Sequence, residues 1–207
     1  MKGKFIVVEG LEGAGKSSAV ATCKDVFKKA GIDVVATREP GGTPLAEAIR
    51  DCVKGHWHEP VSPVTELLLM YAARKQLIDN VIVPSLQNGT WVLGDRHDHS
   101  TLAYQGGGRQ IADSVIEPIR QVALSGLAPD LVLYLDIDPQ VGLERARGRG
   151  ELDRIEVSGL DFFRRTREKY LNLASKNDNI KVIDASLPMV EVHQHIETAL
   201  QGFIASC

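Results

Sequence analysis

The chain has 207 residues, of which 43% are hydrophobic and 25% are charged, and these values are typical of one globular domain with an ordinary core. A formal net charge of -3 argues against attraction of the whole chain to nucleic acid or to an anionic membrane. No apolar run approaches the ~20 residues of a membrane-spanning helix or resembles a secretory signal, and the three cysteines form no CxxC pair. We therefore expect a single cytoplasmic domain over residues 1–207, with no nucleic-acid or membrane partner.

Short apolar runs alternate with amphipathic segments along the chain. The first run, 5–8, is followed by a glycine-rich stretch and then by apolar residues at helical spacing over 16–30. Further strands are predicted at 33–37, 90–95, 130–137 and 181–184. Further helices are predicted at 44–53, 64–86, 111–124, 139–147, 158–175 and 188–204. Because parallel strands need helix-length crossovers, this order predicts a doubly wound α/β domain, with a five-stranded parallel sheet and helices on both faces.

The glycine-rich stretch after the first predicted strand matches the phosphate-binding pattern GxxxxGK[ST]. It consists of Gly10, Leu11, Glu12, Gly13, Ala14, Gly15, Lys16 and Ser17, followed by Ser18. Glycines let backbone N–H groups face phosphate oxygens, Lys16 reaches the β- and γ-phosphates, and the Ser17 hydroxyl ligates Mg²⁺. The position between a strand and a helix predicts a fold of the P-loop NTPase type that binds ATP with Mg²⁺.

Charged side chains lie where predicted strands end. Arg38 follows the second strand, and Asp95 and Arg96 close the third. The carboxyl ends of parallel strands meet at one edge of the sheet, so these side chains should share a crevice with the phosphate loop. Asp95 is therefore the candidate second Mg²⁺ ligand. Together with Arg50 and Arg74 on the following helices, the arginines predict a second anion beside ATP.

A surface segment at about 145–157 combines glycine with concentrated positive charge. Its arginines are Arg145, Arg147, Arg149 and Arg154. A mobile segment of this kind can fold over bound phosphates and exclude water, as a kinase requires. The alternative interpretation is a solvated helix end, balanced by neighbouring carboxylates. Asp136, which ends the fourth strand with no arginine beside it in the sequence, is interpreted as structural.

Together these motifs resemble those of bacterial thymidylate kinases, which transfer the γ-phosphoryl group of ATP to dTMP and give dTDP and ADP. The resemblance covers nearly the whole chain. Besides the phosphate loop it includes REPGGT at 38–43, DRH at 95–97, AYQGGG at 103–108 and RGRGELDR at 147–154. It implies ATP and dTMP as substrates, Mg²⁺ as cofactor, a role in dTTP biosynthesis and a homodimer.

The resemblance also implies which residues hold the acceptor phosphate. Arg38, Arg74 and Arg96 would bind the phosphate of dTMP, and Arg50 is a less certain fourth contact. Glu12, the carboxylate inside the phosphate loop, would orient the acceptor through its sugar or through a neighbouring arginine.

Base recognition is implied for a second group of residues. Ser100 and Thr101 would line the acceptor site, with Thr101 facing the thymine, and Gln105 would help to close the base pocket. Tyr104 would lie under the deoxyribose and leave no room for a 2′-hydroxyl group. The family usually has Phe where this chain has Met70, and a thioether covers a π face less rigidly than a ring does.

In one branch of the family an arginine follows the acidic residue of the phosphate loop, whereas this chain has Gly13 there. Charge on the transferred phosphoryl group must then be neutralised from elsewhere, and Arg149 is the matching candidate of the lid-arginine branch. The alternative is Arg147. The implied catalytic residues are therefore Lys16, Glu12, Arg96 and Arg149.

Two alternatives to a dTMP kinase remain open. A kinase for another nucleotide or nucleoside would share the ATP site but differ around Thr101 and Tyr104. A nucleotide-dependent switch is disfavoured, because the chain has only the sequence SKND at 175–178 in place of the guanine-binding pattern NKxD.

Overall fold

A computed structural model describes residues 3–148 and 153–207 of the chain. Within these ranges the strands are β1 (Phe5–Gly10), β2 (Val34–Arg38), β3 (Trp91–Asp95), β4 (Leu131–Asp136) and β5 (Ile180–Asp184). They form one parallel sheet in the order β2-β3-β1-β4-β5. The predicted five-stranded parallel α/β fold is therefore confirmed, and each strand lies within two residues of its predicted position.

Helices fill the connections between the strands. They are α1 (Lys16–Lys29), α2 (Pro44–Lys54), α3 (Pro63–Leu77), α4 (Val83–Gln87), α5 (Asp98–Thr101), α6 (Asp113–Leu124), α7 (Pro139–Arg147), α8 (Leu160–Ala174) and α9 (Met189–Ala205). Two π-helical segments, Ile78–Ile82 and Leu102–Gly108, and a 3₁₀ turn at Glu156–Ser158 complete the elements. No helix of the described chain is both long and apolar enough to cross a membrane.

Aromatic contacts show that helices cover both faces of the sheet. Trp91 of β3 meets Phe27 of α1 and Phe203 of α9 edge-to-face, with ring centroids 5.6 and 5.9 Å away. Tyr134 of β4 instead stacks on Tyr170 of α8 at 4.7 Å. The strand register places Trp91 and Tyr134 on opposite faces, because side chains alternate along each strand. α1 and α9 therefore cover one face and α8 covers the other.

Two parts of the helical structure differ from the prediction. The helix expected over 64–86 is three consecutive elements, α3, the π-helical segment Ile78–Ile82 and α4. The π-helical segment Leu102–Gly108 was not predicted, because glycines are poor helix formers. Close packing explains its glycines: a Cβ atom at Gly107 would lie 2.9 Å from the carbonyl oxygen of Arg165, and one at Gly108 would overlap the ring of Phe162.

A buried carboxylate fixes the chain that follows β3. Glu9 at the end of β1 is inaccessible to solvent. It accepts hydrogen bonds from the backbone N–H groups of His97 (2.9 Å) and Ser100 (3.2 Å) and from the hydroxyls of Ser100 (2.6 Å) and Tyr170 (2.8 Å). These bonds satisfy polar oxygen atoms that would otherwise be costly to bury. They hold α5 against the carboxyl ends of the central strands.

Candidate active site

A cavity of about 530 Å³ lies at the carboxyl ends of β1, β2 and β3. The predicted site residues that line it are Glu12, Gly13, Gly15, Lys16, Ser17, Ser18, Arg38, Arg50, Met70, Asp95, Arg96, Ser100 and Tyr104. Further lining residues, outside the predicted set, are Glu39, Pro40, Val53, Lys54, Arg145, Asp153, Ile155 and Glu156. Strand-end residues and the phosphate loop thus meet in one space, as the parallel sheet requires.

The phosphate loop joins β1 to α1 through residues with positive φ. Gly13 has φ 75° and Gly15, the N-cap of α1, has φ 86°, values that favour glycine. The ammonium group of Lys16 turns back over the loop and donates to the carbonyl oxygens of Gly10 (3.0 Å) and Leu11 (2.9 Å). The loop therefore holds a cation at the N-terminus of a helix, where phosphate oxygens bind favourably.

Burial shifts the proton equilibrium of Lys16. Desolvation and then the nearby charge of Arg96 lower the pKa of Lys16 to about 8, although Glu12 and Asp95 act in the opposite direction. A fraction of the ammonium groups is thus neutral near pH 8. A bound polyphosphate would favour the charged form, because an anion stabilises an adjacent cation.

Gly13 lies directly against α7. A Cβ atom at this position would overlap the carbonyl oxygen of Gly142, and one at Gly142 would lie 2.6 Å from the carbonyl oxygen of Glu12. A side chain at position 13 is therefore incompatible with the present packing of α7 on the loop. Glycine at position 13 is therefore a steric requirement of this packing.

Three side chains close the loop against β3. Glu12 accepts from Arg96 Nη2 (2.7 Å) and from the Tyr104 hydroxyl (2.6 Å), and Arg96 lies over the Tyr104 ring at 5.0 Å. Burial alone would raise the pKa of Glu12, but Arg96 and Lys16 outweigh that effect and hold this pKa below its usual value. Arg96 itself has φ 71°, a conformation that costs a residue with a side chain roughly 1–2 kcal/mol. The surrounding bonds therefore fix a strained, charged residue that faces the cavity.

The end of β2 and the following helix α2 supply two more cations, Arg38 and Arg50. Arg38 Nη2 lies 2.9 Å from Glu47 of α2, and Glu47 also accepts from the backbone N–H of Gly42 at 2.8 Å. Arg50 Nη1 donates to the carbonyl oxygen of Pro40 at 2.8 Å. Arg38 is thus held by a residue of α2 and Arg50 by the preceding loop, and both side chains line the cavity.

Three predicted acceptor residues do not line the cavity. Arg74 is buried and donates to Glu39 (2.7 Å), to the Thr101 hydroxyl (2.9 Å) and to the His97 carbonyl oxygen (2.9 Å). Thr101 and Gln105 are also buried, and the amide nitrogen of Gln105 donates to Glu66 of α3 at 2.7 Å. These side chains support the residues that do line the cavity, and their predicted contacts with dTMP stay predictions.

The arginines of the segment 145–157 have different surroundings. Arg145 lines the cavity and its Nη1 lies 3.4 Å from the carbonyl oxygen of Ala185, whereas Arg147 lines a separate cavity of about 480 Å³. Arg154 Nε donates to the carbonyl oxygen of Val53 at 2.9 Å. Arg149 lies outside the described residues. The sequence does not distinguish Arg145 from its neighbours, since only the fold shows that its side chain faces the cavity.

The residues predicted to hold Mg²⁺ are suited to the ion. Ser17 and Asp95 both line the cavity. Within 3–148 and 153–207, Asp95 Oδ1 is buried and accepts no hydrogen bond. A buried carboxylate oxygen without a donor fits a hard cation that prefers oxygen ligands. Asp136, interpreted as structural, instead accepts two bonds of 2.8 Å from Arg167.

A phosphate loop facing a second group of arginines across one cavity defines a P-loop nucleotide kinase, an enzyme that holds two phosphate-bearing ligands side by side. The family model described as "Thymidylate kinase" matches residues 8–196. Over 205 residues the chain is 59% identical to a thymidylate kinase of Alteromonas mediterranea, covering 99% of this chain and 92% of that protein. It is 57% identical over 204 residues to a thymidylate kinase of Idiomarina loihiensis, covering 99% and 100%. A thymidylate kinase of Vibrio campbellii is 57% identical over 208 residues, covering 100% and 99%.

The chain therefore belongs to the thymidylate kinase family. This result confirms the resemblance found in the sequence. It also confirms the reaction class, that of a nucleoside monophosphate kinase with ATP as phosphoryl donor and dTMP as acceptor.

The contact between Gly13 and Gly142 makes a prediction about stability. Gly13→Ala should lower the free energy of unfolding by about 2 kcal/mol or more, because left-handed strain and overlap with α7 add together. Gly15→Ala is the matched control: its φ is also positive, but no atom lies within 4 Å of the added methyl group. Gly15→Ala should lower the free energy of unfolding by only roughly 1 kcal/mol, because it adds backbone strain without an overlap. Urea unfolding of the ligand-free proteins measures both values, and equal losses would contradict the packing argument.

The lowered pKa of Lys16 makes a prediction about ATP binding. At pH 8 about half of the free protein has a neutral Lys16, so binding should take up about half a proton. Because the charged form binds phosphate, affinity should fall as the pH rises through about 8. Calorimetric titration with ATP in two buffers of different ionisation enthalpy measures the uptake. Lys16→Arg, which stays charged, should show almost none; equal uptake in both proteins would assign the proton to another group.

Proposed function

We propose that this chain performs its transfer of the ATP γ-phosphoryl group to dTMP in the cavity of about 530 Å³, as an Mg²⁺-dependent enzyme of dTTP biosynthesis. The observation that carries the proposal is the meeting of the phosphate loop with Arg38, Arg50 and Arg96 across that cavity. One group of cations suits the triphosphate of ATP, and the other suits the phosphate of the acceptor. A cytoplasmic location stays a prediction from the sequence.

The acceptor needs no general base in this reaction. Its phosphate is already ionised and nucleophilic at neutral pH, so positioning and charge neutralisation provide most of the catalysis. Arg96 is held by Glu12, Tyr104 and Ser100 with little freedom to reorient. It can therefore bind the acceptor phosphate without a large entropic cost. Glu12 is assigned the orientation of Arg96 and, through it, of the acceptor.

Donor binding is assigned to the loop residues 10–18. The backbone N–H groups and Lys16 would hold the β- and γ-phosphates. Ser17 and Asp95 would hold Mg²⁺, which neutralises charge on the phosphate oxygens when it is bound. Arg149 is proposed, from the family resemblance alone, as the arginine that neutralises the transferred group.

Acceptor selection is assigned to the opposite wall. Tyr104 is almost completely buried and faces the cavity, where its ring would lie under the deoxyribose. Ser100 and Met70 also line the cavity, and Met70 would cover the thymine in place of a ring. Thr101 and Gln105 would support this wall from behind, through their bonds to Arg74 and Glu66.

We also propose a homodimer formed through α3 and α6. These helices pack together through Leu67, Tyr71, Ile116 and Ala123, while other apolar side chains on the same two helices face solvent. The exposed residues are Val64, Leu68, Val115 and Val122. An apolar surface on two adjacent helices suits a self-complementary contact between two copies of the chain.

The acceptor assignment predicts selective turnover. Coupled measurement of ADP release, with dTMP, dUMP, UMP, dCMP, dGMP, AMP and thymidine in turn, should show clear preference for dTMP. Release without any acceptor should be negligible. Arg96→Met should reduce kcat/KM for dTMP about 100-fold or more, because a preorganised charge is lost. Arg164→Met, which removes an exposed arginine that is also paired with a carboxylate, should leave it unchanged. Preference for another acceptor, or equal release without one, would contradict the assignment.

The dimer proposal predicts a mass of two chains in solution. Leu68→Glu should shift the protein towards the monomer in analytical ultracentrifugation, because it places a charge in the apolar contact. Val190→Glu changes a more exposed apolar residue, on α9, and should leave the mass unchanged. A monomeric wild-type protein, or a dimer unaffected by Leu68→Glu, would exclude this surface.

A further inference from the structure

Glu66 of α3 is a buried carboxylate that lies outside the cavity and meets donors from two other parts of the chain. Its Oε1 accepts from Gln105 Nε2 (2.7 Å) and from Arg109 Nε (3.2 Å), and its Oε2 accepts from Arg109 Nη2 (3.1 Å). Arg154 Nη2 forms an ion pair with the same Oε2 at 2.8 Å, in an orientation that does not make a hydrogen bond. Only 1% of Glu66 is exposed, so solvent screens these interactions weakly.

Through Arg154, Glu66 holds one wall of the cavity. Arg154 also donates from Nε to the carbonyl oxygen of Val53 (2.9 Å) and from its backbone N–H to that of Lys54 (3.3 Å). Lys54 in turn pairs with Asp153 at 2.7 Å. Val53, Lys54, Asp153 and Ile155 all line the cavity. We call residues 53–54 and 153–155 the lid-side wall.

Through Gln105 and Arg109, the same carboxylate holds the opposite wall. Gln105 belongs to the π-helical segment Leu102–Gly108, and Arg109 follows it directly, with its guanidinium 4.6 Å from the ring centroid of Phe162. Tyr104 of this segment lines the cavity and donates to Glu12. We call residues 102–109 the acceptor-side wall.

We propose that Glu66 is a positioning residue that couples the acceptor-side wall to the lid-side wall. The inference rests on the proposed function in one respect, namely that the acceptor-side wall holds dTMP. An acceptor that orders this wall fixes Gln105 and Arg109 on Glu66, and the same carboxylate then fixes Arg154 and the residues bonded to it. Binding of dTMP therefore raises the affinity for the donor nucleotide, and by linkage the donor raises the affinity for dTMP.

A carboxylate is required because the donors around it carry two positive charges. One negative group shared by Arg109 and Arg154 offsets the repulsion between them, accepts hydrogen bonds from Arg109 and the Gln105 amide, and pairs with Arg154 by charge. A glutamine amide at position 66 would present its own N–H donors to these donors. The two walls would keep their separate local contacts but lose the connection.

The test compares donor affinity with and without the acceptor. Calorimetry gives the dissociation constant of the Mg²⁺ complex of the β,γ-imido analogue of ATP, alone and with saturating dTMP, for the wild type, Glu66→Gln, Arg154→Met and the double variant. Asp136→Asn is the matched control, since Asp136 also binds one arginine with both oxygens but does not line the cavity. If Glu66→Gln fails to fold, Arg154→Met carries the test, because it leaves Glu66 with Gln105 and Arg109.

We expect dTMP to increase the affinity of the wild type for the analogue about fivefold or more. This increase in affinity should largely disappear in both single variants. The double variant should lose no more of the increase than either single variant, since both changes break the same connection. Asp136→Asn should lose stability but keep the wild-type increase. Retention of the increase in the single variants, its equal loss in Asp136→Asn, or its absence from the wild type would overturn the inference. Failure of the wild type to phosphorylate dTMP would instead overturn the proposed function, and turnover is measured separately.

Discussion

Mutual repulsion among the cations of the cavity is the main physical constraint on this active site. The positively charged residues that face the space are Lys16, Arg38, Arg50, Lys54, Arg96 and Arg145. Several of them are held by a carboxylate from a neighbouring element: Arg96 by Glu12, Arg38 by Glu47 and Lys54 by Asp153. These carboxylates reduce the repulsion and fix each cation in direction. A phosphate group that entered this cavity would meet charges that are already placed, which is the arrangement that favours transition-state stabilisation.

Much of the fold and part of the site could be predicted from the sequence because both follow from short-range patterns. Apolar runs separated by helix-length segments are sufficient to indicate a parallel sheet, and the sheet then brings the ends of successive strands together. Arg38, Asp95 and Arg96 share a cavity with the phosphate loop for that reason. Their roles with bound nucleotides stay predictions, since shared position alone does not establish contact with a substrate.

The remaining features depend on contacts between distant residues. A glycine triplet is typical of a loop, and only the close approach of α8 explains why the π-helical segment 102–108 contains glycines. The sequence does not distinguish Arg74 from the arginines that line the cavity, but its bonds to Glu39 and Thr101 hold it in the interior. Glu66 interrupts the apolar face of α3, which is a recognisable signal of a buried charge, yet its partners lie 39 or more residues along the chain. The hydrophobic periodicity of the sequence gives no information about bonds between residues so far apart in the chain.

The contact between Gly13 and Gly142 also links the position of the phosphate loop to that of α7. The backbone of the phosphate loop lies directly against the backbone of the first turn of α7, and Arg145 Nη1 also donates to the carbonyl oxygen of Gly13 at 3.5 Å. The helix that carries Arg145 is therefore aligned to the loop at its N-terminal end. A displacement of the loop would therefore move α7, and the guanidinium group of Arg145, together with it.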